Sequence, residues 1–193
     1  MKICVFGAAS NRIDKKYIED CRELAKSLAL RGHNLVFGAG GEGLMGAAAA
    51  GFKEGGAKLH GVIPKFFIDS GYEAVFQGLD KLTLTETMAE RKKIMEDEAD
   101  AFIITPGGIG TFEEFFEVLT LKQLGRHKKA IAIYNSYGYF TGIENYMDNI
   151  IDIKFVNKEC KLLYKLVDTH KDVIDYIENY SPVSVKWDLL KRN

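Results

Sequence analysis

The amino-acid sequence predicts an α/β fold: a doubly wound, Rossmann-like parallel sheet with helices on both faces. The first observation is that seven short apolar runs alternate with longer amphipathic stretches. Such alternation is typical of βαβ units, whose right-handed crossovers build a doubly wound sheet. The second observation is that the Gly-rich segments directly follow predicted strands. Because no internal repeat, low-complexity tract or linker interrupts the 193 residues, we expect one domain over 1–193.

The predicted elements follow one another in regular order. The strands cover residues 3–7, 34–38, 58–63, 81–84, 101–105, 130–134 and 163–167. The helices cover residues 14–30, 44–53, 87–98, 112–124, 140–151 and 170–179. The helix at 14–30 is the clearest, because its apolar residues recur at helical spacing and Gly32 follows as a natural terminator. In a sheet of this kind ligands bind outside the carboxyl ends of the strands.

Composition and charge exclude several classes of partner. Lys and Arg together number 26 and Asp and Glu 27, which gives a formal net charge of −1. A nearly neutral chain does not favour nucleic-acid or membrane-surface binding. No stretch approaches the roughly 20 apolar residues that a membrane span needs. We therefore expect no nucleic-acid partner and no membrane partner, whereas a small anionic ligand in a locally basic pocket remains possible.

Cysteine and histidine usage indicates a reduced protein without a metal. Cys4, Cys21 and Cys160 are odd in number and form no CxxC pair, which favours a cytoplasmic location. The N-terminal apolar run is too short for a secretory signal and is predicted as the first strand. The four histidines are scattered without metal-ligand spacing, so we expect no metal site.

The most informative segment is the loop at 106–111, Pro-Gly-Gly-Ile-Gly-Thr, which lies between a predicted strand and a predicted helix. A helix N-terminus at this place directs unpaired N–H groups and the positive end of the helix dipole at one point, which suits a phosphate. We expect Gly107, Gly108, Gly110 and Thr111 to hold that phosphate.

Two glutamates follow the loop, beside the expected anion. Thr111 and Glu114 have the T-x-x-E spacing of a capping box, which gives Glu114 a structural role. Glu113 has no such role, so we expect it to be the catalytic carboxylate. Glu117, four residues on, could extend the same face, although a solvent-exposed position is the simpler expectation.

The second Gly-rich loop follows the second strand. Gly38, Gly40 and Gly43 match G-x-G-x-x-G. A dinucleotide fingerprint follows the first strand and has an acid about 20 residues later, and neither condition is met here. A glycine-lined wall that admits a nucleotide fits better. After the first strand, Ser10 offers a hydroxyl group, although an ordinary tight turn explains that loop equally well.

A basic segment at 88–95 contains an apolar stripe and three adjacent cations. A solvated basic face is the ordinary interpretation of such a charge run. The functional interpretation turns Arg91 inward, where its planar guanidinium can hold a phosphate or a ribose oxygen.

Together these motifs resemble those of the LONELY GUY (LOG) family, over roughly residues 2 to 180. The family's nine-residue PGGxGTxxE motif is met by 106–114, and its Met-x-x-Arg-Lys element by Met88, Arg91 and Lys92. Its G-x-G-L-M-G element is met by 41–46. Two departures occur: only Ser10 remains of the usual Cys-Gly-Ser-Ser segment, and Ala39 replaces a usual glycine.

The resemblance implies a homodimeric phosphoribohydrolase that cleaves a purine-type nucleoside 5′-monophosphate, preferably of an N6-modified adenine, without a cofactor. The expected catalytic residues are Arg91 and Glu113. The implied substrate-binding residues are Ser10, Gly41, Gly43, Met88, Lys92, Pro106, Gly107, Gly108, Ile109, Gly110 and Thr111. The implied interface elements are the helices that carry Arg91 and Thr111, with an outer apolar face of Phe112, Phe115, Phe116 and Leu119.

Two alternatives remain open. A non-catalytic carrier of a nucleotide or of molybdenum cofactor needs the anion site but no acid beside it, so the pair Arg91 and Glu113 argues for an enzyme. A broad nucleoside-monophosphate nucleosidase would share the chemistry and differ only in the base pocket. Lysine decarboxylation, a label carried by some similar proteins, has no support, because no pyridoxal phosphate constellation is evident.

Overall fold

Seven parallel strands form one sheet in the computed structural model, which describes residues 1–71 and 74–183. The strands are β1 Lys2–Phe6, β2 Asn34–Phe37, β3 Leu59–Pro64, β4 Lys81–Thr85, β5 Ala101–Ile104, β6 Ala130–Tyr134 and β7 Lys165–Val167. Their spatial order is β4-β3-β2-β1-β5-β6-β7. This order confirms the predicted Rossmann-like fold, since the chain builds outward from β1 first on one side and then on the other.

Among the described residues, six α-helices connect the strands and a seventh follows β7. They are α1 Lys15–Leu30, α2 Gly43–Glu54, α3 Lys65–Asp69, α4 Met88–Glu98, α5 Ile109–Gln123, α6 Thr141–Asp152 and α7 His170–Glu178. Every strand and helix that the sequence predicts is present within a few residues of its expected bounds. The sequence missed α3, a five-residue helix too short to show a period of 3.6. Among the described residues, no helix is both long and apolar enough to cross a membrane.

Helices cover both faces of the sheet, and each face has its own apolar core. Leu35 and Phe37 of β2 pack with α1 and α2 on one face. On the opposite face, Phe102 of β5 packs with residues of α5 such as Val118. Because the central strands are buried from both sides, their sequences are continuous apolar runs rather than alternating ones. All four residues of β5 are buried, for example.

The apolar outer face expected on α5 is only partly present. Phe115 and Leu119 are 2% and 4% exposed and belong to the core. Phe112 and Phe116 are partly buried against the same cluster. The expectation was wrong for Phe115 and Leu119, because their spacing places them on the side of the helix that packs on the sheet.

The two halves of the sheet meet between β1 and β5. Cys4 of β1 pairs in register with Val36 on one side and with Phe102 on the other. The chain leaves β1 toward one half of the sheet and leaves β5 toward the other. The loops that follow these two strands therefore diverge and leave a crevice at the switch point of the topology, where such sheets bind ligands.

Candidate active site

A cavity of about 910 Å³ lies at this switch point. The loop after β1 forms one wall, with Ala8 and Ser10, and the loop after β5 forms another. The two loops are joined by a hydrogen bond from the Ala8 N–H to the Pro106 carbonyl, at 3.0 Å. A volume of this size is within the range of small-molecule sites.

The N-terminus of α5 opens into the cavity. Gly108 is its N-cap residue and makes no side-chain cap, so the first N–H groups of the helix depend on an external partner. Gly108, Gly110 and Thr111 all line the cavity. A β-carbon added at Gly108 or Gly110 would meet no atom within 4 Å, so a ligand has space to approach the backbone there. This geometry suits a phosphate.

The N-terminus of α2 lies beside the same crevice but is already occupied by the protein. The Gly43 N–H donates to Asn11 Oδ1 at 2.8 Å. The N–H groups of Leu44 and Met45 both donate to the Ala8 carbonyl, at 2.8 and 3.2 Å. Of these two helix N-termini, the one of α5 is therefore the better anion site.

Gly43 shows why the second loop needs glycine. Its φ is +58°, and an added β-carbon would lie 2.4 Å from the Ala8 carbonyl oxygen. A side chain would therefore push the loops after β1 and β2 apart. Ala39, at the position where the family usually has glycine, has a φ of 65° and so carries a modest backbone strain.

Arg91 is turned inward, as the sequence suggests, and is only 4% exposed. One guanidinium nitrogen donates to the Gly38 carbonyl at 3.4 Å, and the group lies 5.7 Å from the centre of the Phe67 ring. Its Nε is buried and has no hydrogen-bond partner among the described residues. A buried cation with an unused donor on a cavity wall is suited to an anionic or hydroxyl-rich ligand.

Glu113 lines the cavity and is about half exposed, at 51%. Its carboxylate forms an ion pair with Lys92 of α4. Lys92 also contacts Glu117 Oε2 at 2.7 Å. Burial alone would lower the pKa of Lys92, but its hydrogen bonds to Glu113 and Glu117 outweigh burial and raise that pKa. Glu117 is thus an ion-paired, partly buried residue rather than a solvated one.

The capping box expected from Thr111 and Glu114 does not form. Because α5 begins at Ile109, Thr111 is already inside the first helical turn and cannot act as an N-cap. Glu114 lines the cavity together with Glu113. Burial, followed by the negative charges of Glu114 and Glu96, raises the pKa of the Cys4 thiol.

Most of the site residues expected from the sequence converge on the cavity. Those that line it are Ser10, Met88, Arg91, Pro106, Gly107, Gly108, Gly110, Thr111 and Glu113. Four others do not line it: Gly41, Gly43, Lys92 and Ile109. The two glycines pack against neighbouring loops, Lys92 lies behind Glu113, and the Ile109 side chain is 89% exposed.

Several lining residues were not expected from the sequence. Among them, Tyr139 donates its hydroxyl hydrogen to the Gly107 carbonyl at 2.6 Å and so stabilises the loop after β5. Tyr17 lies edge-on to Tyr139, with ring centres 6.1 Å apart. Phe67 and Met45 complete an apolar part of the wall. Tyr17 belongs to the apolar residues that recur at helical spacing over 14–30, and spacing shows which residues share a face but not which end of that face opens into a cavity.

The fold and the cavity define a class: a Rossmann-like α/β protein in which a helix N-terminus without a side-chain cap and two glutamates line one cavity. A family model described as possible lysine decarboxylase matches residues 45–177. The probable cytokinin riboside 5′-monophosphate phosphoribohydrolase LOGL6 of Oryza sativa subsp. japonica is 34% identical over 181 residues, 94% of this chain and 72% of the relative. The chain belongs to the LONELY GUY (LOG) family, as its motifs predict.

A bacterial relative and a solved structure complete the comparison. The cytokinin riboside 5′-monophosphate phosphoribohydrolase of Mycobacterium tuberculosis is 36% identical over 172 residues, which cover 89% of this chain and 90% of the relative. The molybdenum cofactor carrier protein of Chlamydomonas reinhardtii superposes with a TM-score of 0.68 at 20% identity, covering 92% of this chain and 96% of that one. At this identity the structural likeness shows the fold alone.

Proposed function

We propose that this protein is an N-glycosidase that hydrolyses a purine-type nucleoside 5′-monophosphate, with N6-modified adenine as the preferred base, to free base and ribose 5-phosphate. The observation that carries the proposal is the convergence of the α5 N-terminus, Arg91 and Glu113 on one cavity. The names of the relatives support the same activity. The reaction needs only the nucleotide and water.

The 5′-phosphate binds at the N-terminus of α5. Gly108 and Gly110 admit it to the backbone, and the helix dipole favours its charge. Arg91 lies across the cavity with a buried donor available. It is therefore suited to hold the ribose or the phosphate and to fix the sugar relative to Glu113.

Bond cleavage passes through an oxocarbenium-like sugar, as in glycoside hydrolysis generally. A carboxylate beside that sugar stabilises the developing positive charge and accepts a proton from the attacking water. Glu113 has the required access, since it lines the cavity and remains half exposed while paired with Lys92. The bond between the sugar and the base nitrogen breaks, the water oxygen becomes bonded to the sugar, and the proton taken from the water is balanced by the one that the leaving base nitrogen gains.

The wall of the cavity supports a base with an apolar substituent. Ile13, Met45, Phe67 and Met88 contribute apolar surface. An N6-alkyl group would bury apolar area against such a wall, whereas unmodified adenine would not. A broader nucleosidase acting on ordinary monophosphates uses the same chemistry, and the substrate ratio distinguishes the two.

A carrier without chemistry is the second candidate, since the same fold occurs in a molybdenum cofactor carrier protein. A carrier needs the anion site but gains nothing from a carboxylate beside a bound anion, because like charges repel. Decarboxylation of lysine has less support. None of the described residues that line the cavity is a lysine that could form a Schiff base.

We also propose that the protein is a cytoplasmic homodimer. The three thiols of Cys4, Cys21 and Cys160 are free and buried, which suits a reducing compartment. Exposed apolar residues on β4 and α3, including Leu82, Leu84 and Phe66, are compatible with a further contact surface.

The direct test is chromatographic. Purified protein is incubated with AMP and with isopentenyladenosine monophosphate, and the release of free base is measured. We expect base from the second substrate at the higher rate, and a loss of about 10²–10⁴-fold in turnover for Glu113→Gln, which removes a general base.

The matched control is Glu114→Gln, which changes the neighbouring carboxylate on the same wall. If Glu114→Gln loses turnover and Glu113→Gln does not, the catalytic carboxylate is Glu114, the last residue of the PGGxGTxxE motif. Tight nucleotide binding by the wild type without release of base from either substrate would contradict the enzyme and favour the carrier.

A further inference from the structure

The loop before α5 contains two consecutive peptide groups whose carbonyls are both held by donors of the protein. The Pro106 carbonyl accepts the Ala8 N–H at 3.0 Å, and the Gly107 carbonyl accepts the Tyr139 hydroxyl at 2.6 Å. In a trans peptide the C=O and the following N–H point in opposite directions. The N–H groups of Gly107 and Gly108 therefore point away from these donors, and neither donates to a backbone carbonyl of the described residues.

Among the described residues, nothing requires glycine at position 108. Gly108 has a φ of −89°, which any residue can adopt, and an added β-carbon would meet no atom within 4 Å. A Ser, Thr or Asp here could cap α5, whereas Gly108 leaves the helix without a side-chain cap. Adjacent glycines also allow the peptide between them to reverse, so that its C=O and N–H exchange directions, because the second glycine tolerates the positive φ that results. The orientation of the Gly107–Gly108 peptide is therefore set by its contacts.

The two orientations of this peptide have opposite effects on an anion at the N-terminus of α5. While Tyr139 holds the Gly107 carbonyl, the Gly108 N–H remains available as a donor. In the reversed orientation the carbonyl oxygen takes the place of that N–H, and its partial negative charge repels an anion. All three residues line the same cavity. The Tyr139 hydroxyl thus favours the orientation that attracts an anion.

A second feature indicates independently that this cavity receives an anion. Arg91 is 4% exposed and lines the cavity. Its buried Nε has no hydrogen-bond partner among the described residues, so the guanidinium offers a positive charge with an unused donor. Arg91 and the N-terminus of α5 therefore favour the same kind of ligand.

Tyr139 is itself fixed by the short turn that precedes it. The turn begins at Ser136, whose hydroxyl donates to Asp20 of α1. The Asn135 side chain closes the turn, because its Oδ1 accepts the Phe140 N–H at 2.6 Å. The Tyr139 ring lies edge-on to the Phe140 ring, with centres 4.9 Å apart. These contacts hold the hydroxyl at one place without any contribution from a ligand.

We propose that Tyr139 is a positioning residue of the anion site: its hydroxyl holds the Gly107–Gly108 peptide in the orientation that directs the Gly108 N–H at the 5′-phosphate of the substrate. The identity of the ligand rests on the proposed function, but the role concerns the binding of phosphate rather than bond cleavage. Tyr139 lies outside the motif at 106–114 and meets it only through the fold.

The binding test is Tyr139→Phe, which removes the hydroxyl and keeps the ring. The probes are inorganic phosphate and ribose 5-phosphate, neither of which contains the bond that the proposed reaction breaks, and adenosine, which has no phosphate. By isothermal titration calorimetry we expect the affinity for both phosphates to fall about three- to tenfold, because one hydrogen bond of ordinary strength selects the orientation. The affinity for adenosine should not change. Unchanged affinity for the phosphates, or an equal loss for adenosine, would overturn the proposal.

NMR observes the donor itself. In ¹⁵N-labelled wild-type protein, inorganic phosphate should shift the Gly108 amide proton downfield, as expected for an N–H that donates to an anion. At the same phosphate concentration the shift should be smaller in Tyr139→Phe. A Gly108 amide that does not respond to phosphate in the wild type would contradict the proposed orientation.

Gly108→Ala tests the reversal of the peptide. A reversed peptide would give residue 108 a positive φ, which alanine disfavours, so the variant retains the native orientation without help from Tyr139. A double-mutant cycle separates this effect from any effect of the added methyl group on the ligand. Tyr139→Phe should lose less phosphate affinity in the Gly108→Ala background than in the wild-type background. Equal losses in the two backgrounds would rule out the reversal.

The chain provides a matched control in Tyr164. Its hydroxyl donates to Glu144 Oε2 at 3.3 Å, and its ring lies edge-on to Phe115 at 5.7 Å. Tyr164 does not line this cavity. Tyr164→Phe therefore removes the same group elsewhere and should leave the phosphate affinity unchanged. A similar loss in both variants would show a general effect of removing a tyrosine hydroxyl and would overturn the role of Tyr139.

The binding measurements separate this inference from the proposed function. A wild type that binds phosphate through the Gly108 N–H but releases no base from any monophosphate contradicts the proposed function and leaves the role of Tyr139 standing. Release of base with an unchanged kcat/KM in Tyr139→Phe overturns the role of Tyr139 alone. A wild type that binds neither phosphate probe overturns both.

Discussion

Glu96 shows how a single buried carboxylate couples this fold to pH. It is 9% exposed, and burial, followed by repulsion from Glu117, raises its pKa from the ordinary 4.5 to about 7. Between these two values the unfolded chain has lost the proton while the folded chain retains it. The folded state is therefore favoured at low pH by this group, and the contribution is lost as the pH rises through about 7.

Replacement by glutamine removes this dependence. We expect Glu96→Gln and the wild type to have the same thermal midpoint near pH 4.5. At pH 8 the variant should have the higher midpoint, with a free energy of unfolding larger by at most about 3 kcal/mol. Differential scanning calorimetry at both pH values measures the difference. The control is Glu19→Gln, an exposed position of α1. An equal difference between Glu96→Gln and the wild type at both pH values would contradict the assignment of this titration to Glu96.

At the residue scale, the sequence predicted the loop before α5 but not the roles of the two glutamates that follow it. The residue types and spacing of 106–114 predicted the helix N-terminus that opens into the cavity and the two glutamates that follow it. They could not decide between Glu113 and Glu114 by capping, because the start of α5 differs from the expected start by three residues and removes Thr111 from the cap. Local motifs describe geometry relative to a helix terminus, and the terminus itself is the least certain part of a prediction.

At the scale of single elements, the loop before α2 requires glycine at position 43, because Gly43 has a positive φ and packs closely on Ala8. We expect Gly43→Ala to cost more free energy of unfolding than Gly56→Ala, by about 1–3 kcal/mol, because the first adds a collision and the second adds only left-handed strain. Both positions have positive φ, +58° and +82°, but nothing lies within 4 Å of an added β-carbon at Gly56. Urea unfolding of the two variants measures the difference, and equal costs would contradict the close packing of this loop on Ala8.

The elements themselves were largely predictable. Short apolar runs became strands, because strands buried on both faces need no polar alternation. The amphipathic run at 14–30 forms α1, except that its first residue, Asp14, is the N-cap rather than part of the helix. The sequence did not predict the tertiary contacts between these elements, such as the one between Tyr17 of α1 and Tyr139 after β6 at the cavity. Such contacts join residues far apart in sequence and leave no periodic signal.

At the scale of the whole molecule, the proposed homodimer predicts a mass in solution of twice the 21.6 kDa of one chain. Sedimentation equilibrium over a range of concentrations measures that mass. Because exposed apolar residues would be covered by association, we expect the dimer to persist at high salt, where surface ion pairs weaken. A single-chain mass with full turnover would contradict the dimer and leave the proposed chemistry intact.

The sheet order is the least predictable feature at this scale. Alternation of strands and helices limits the topology, but several strand orders satisfy it. The structure selects the order that places β1 beside β5, and this adjacency brings Ala8 to Pro106 and closes the cavity.

The central position of β1 also determines the order in which the sheet can form during translation. Ile3 pairs with Leu35 on one side and with Ala101 on the other. During translation, at about 5–20 residues per second, the second partner emerges from the ribosome seconds after the first. Over that interval the nascent chain presents one open, apolar strand edge, a surface that invites aggregation or chaperone capture. The cavity can exist only once β5 has left the exit tunnel, so a stalled or truncated chain would have half a sheet and no site.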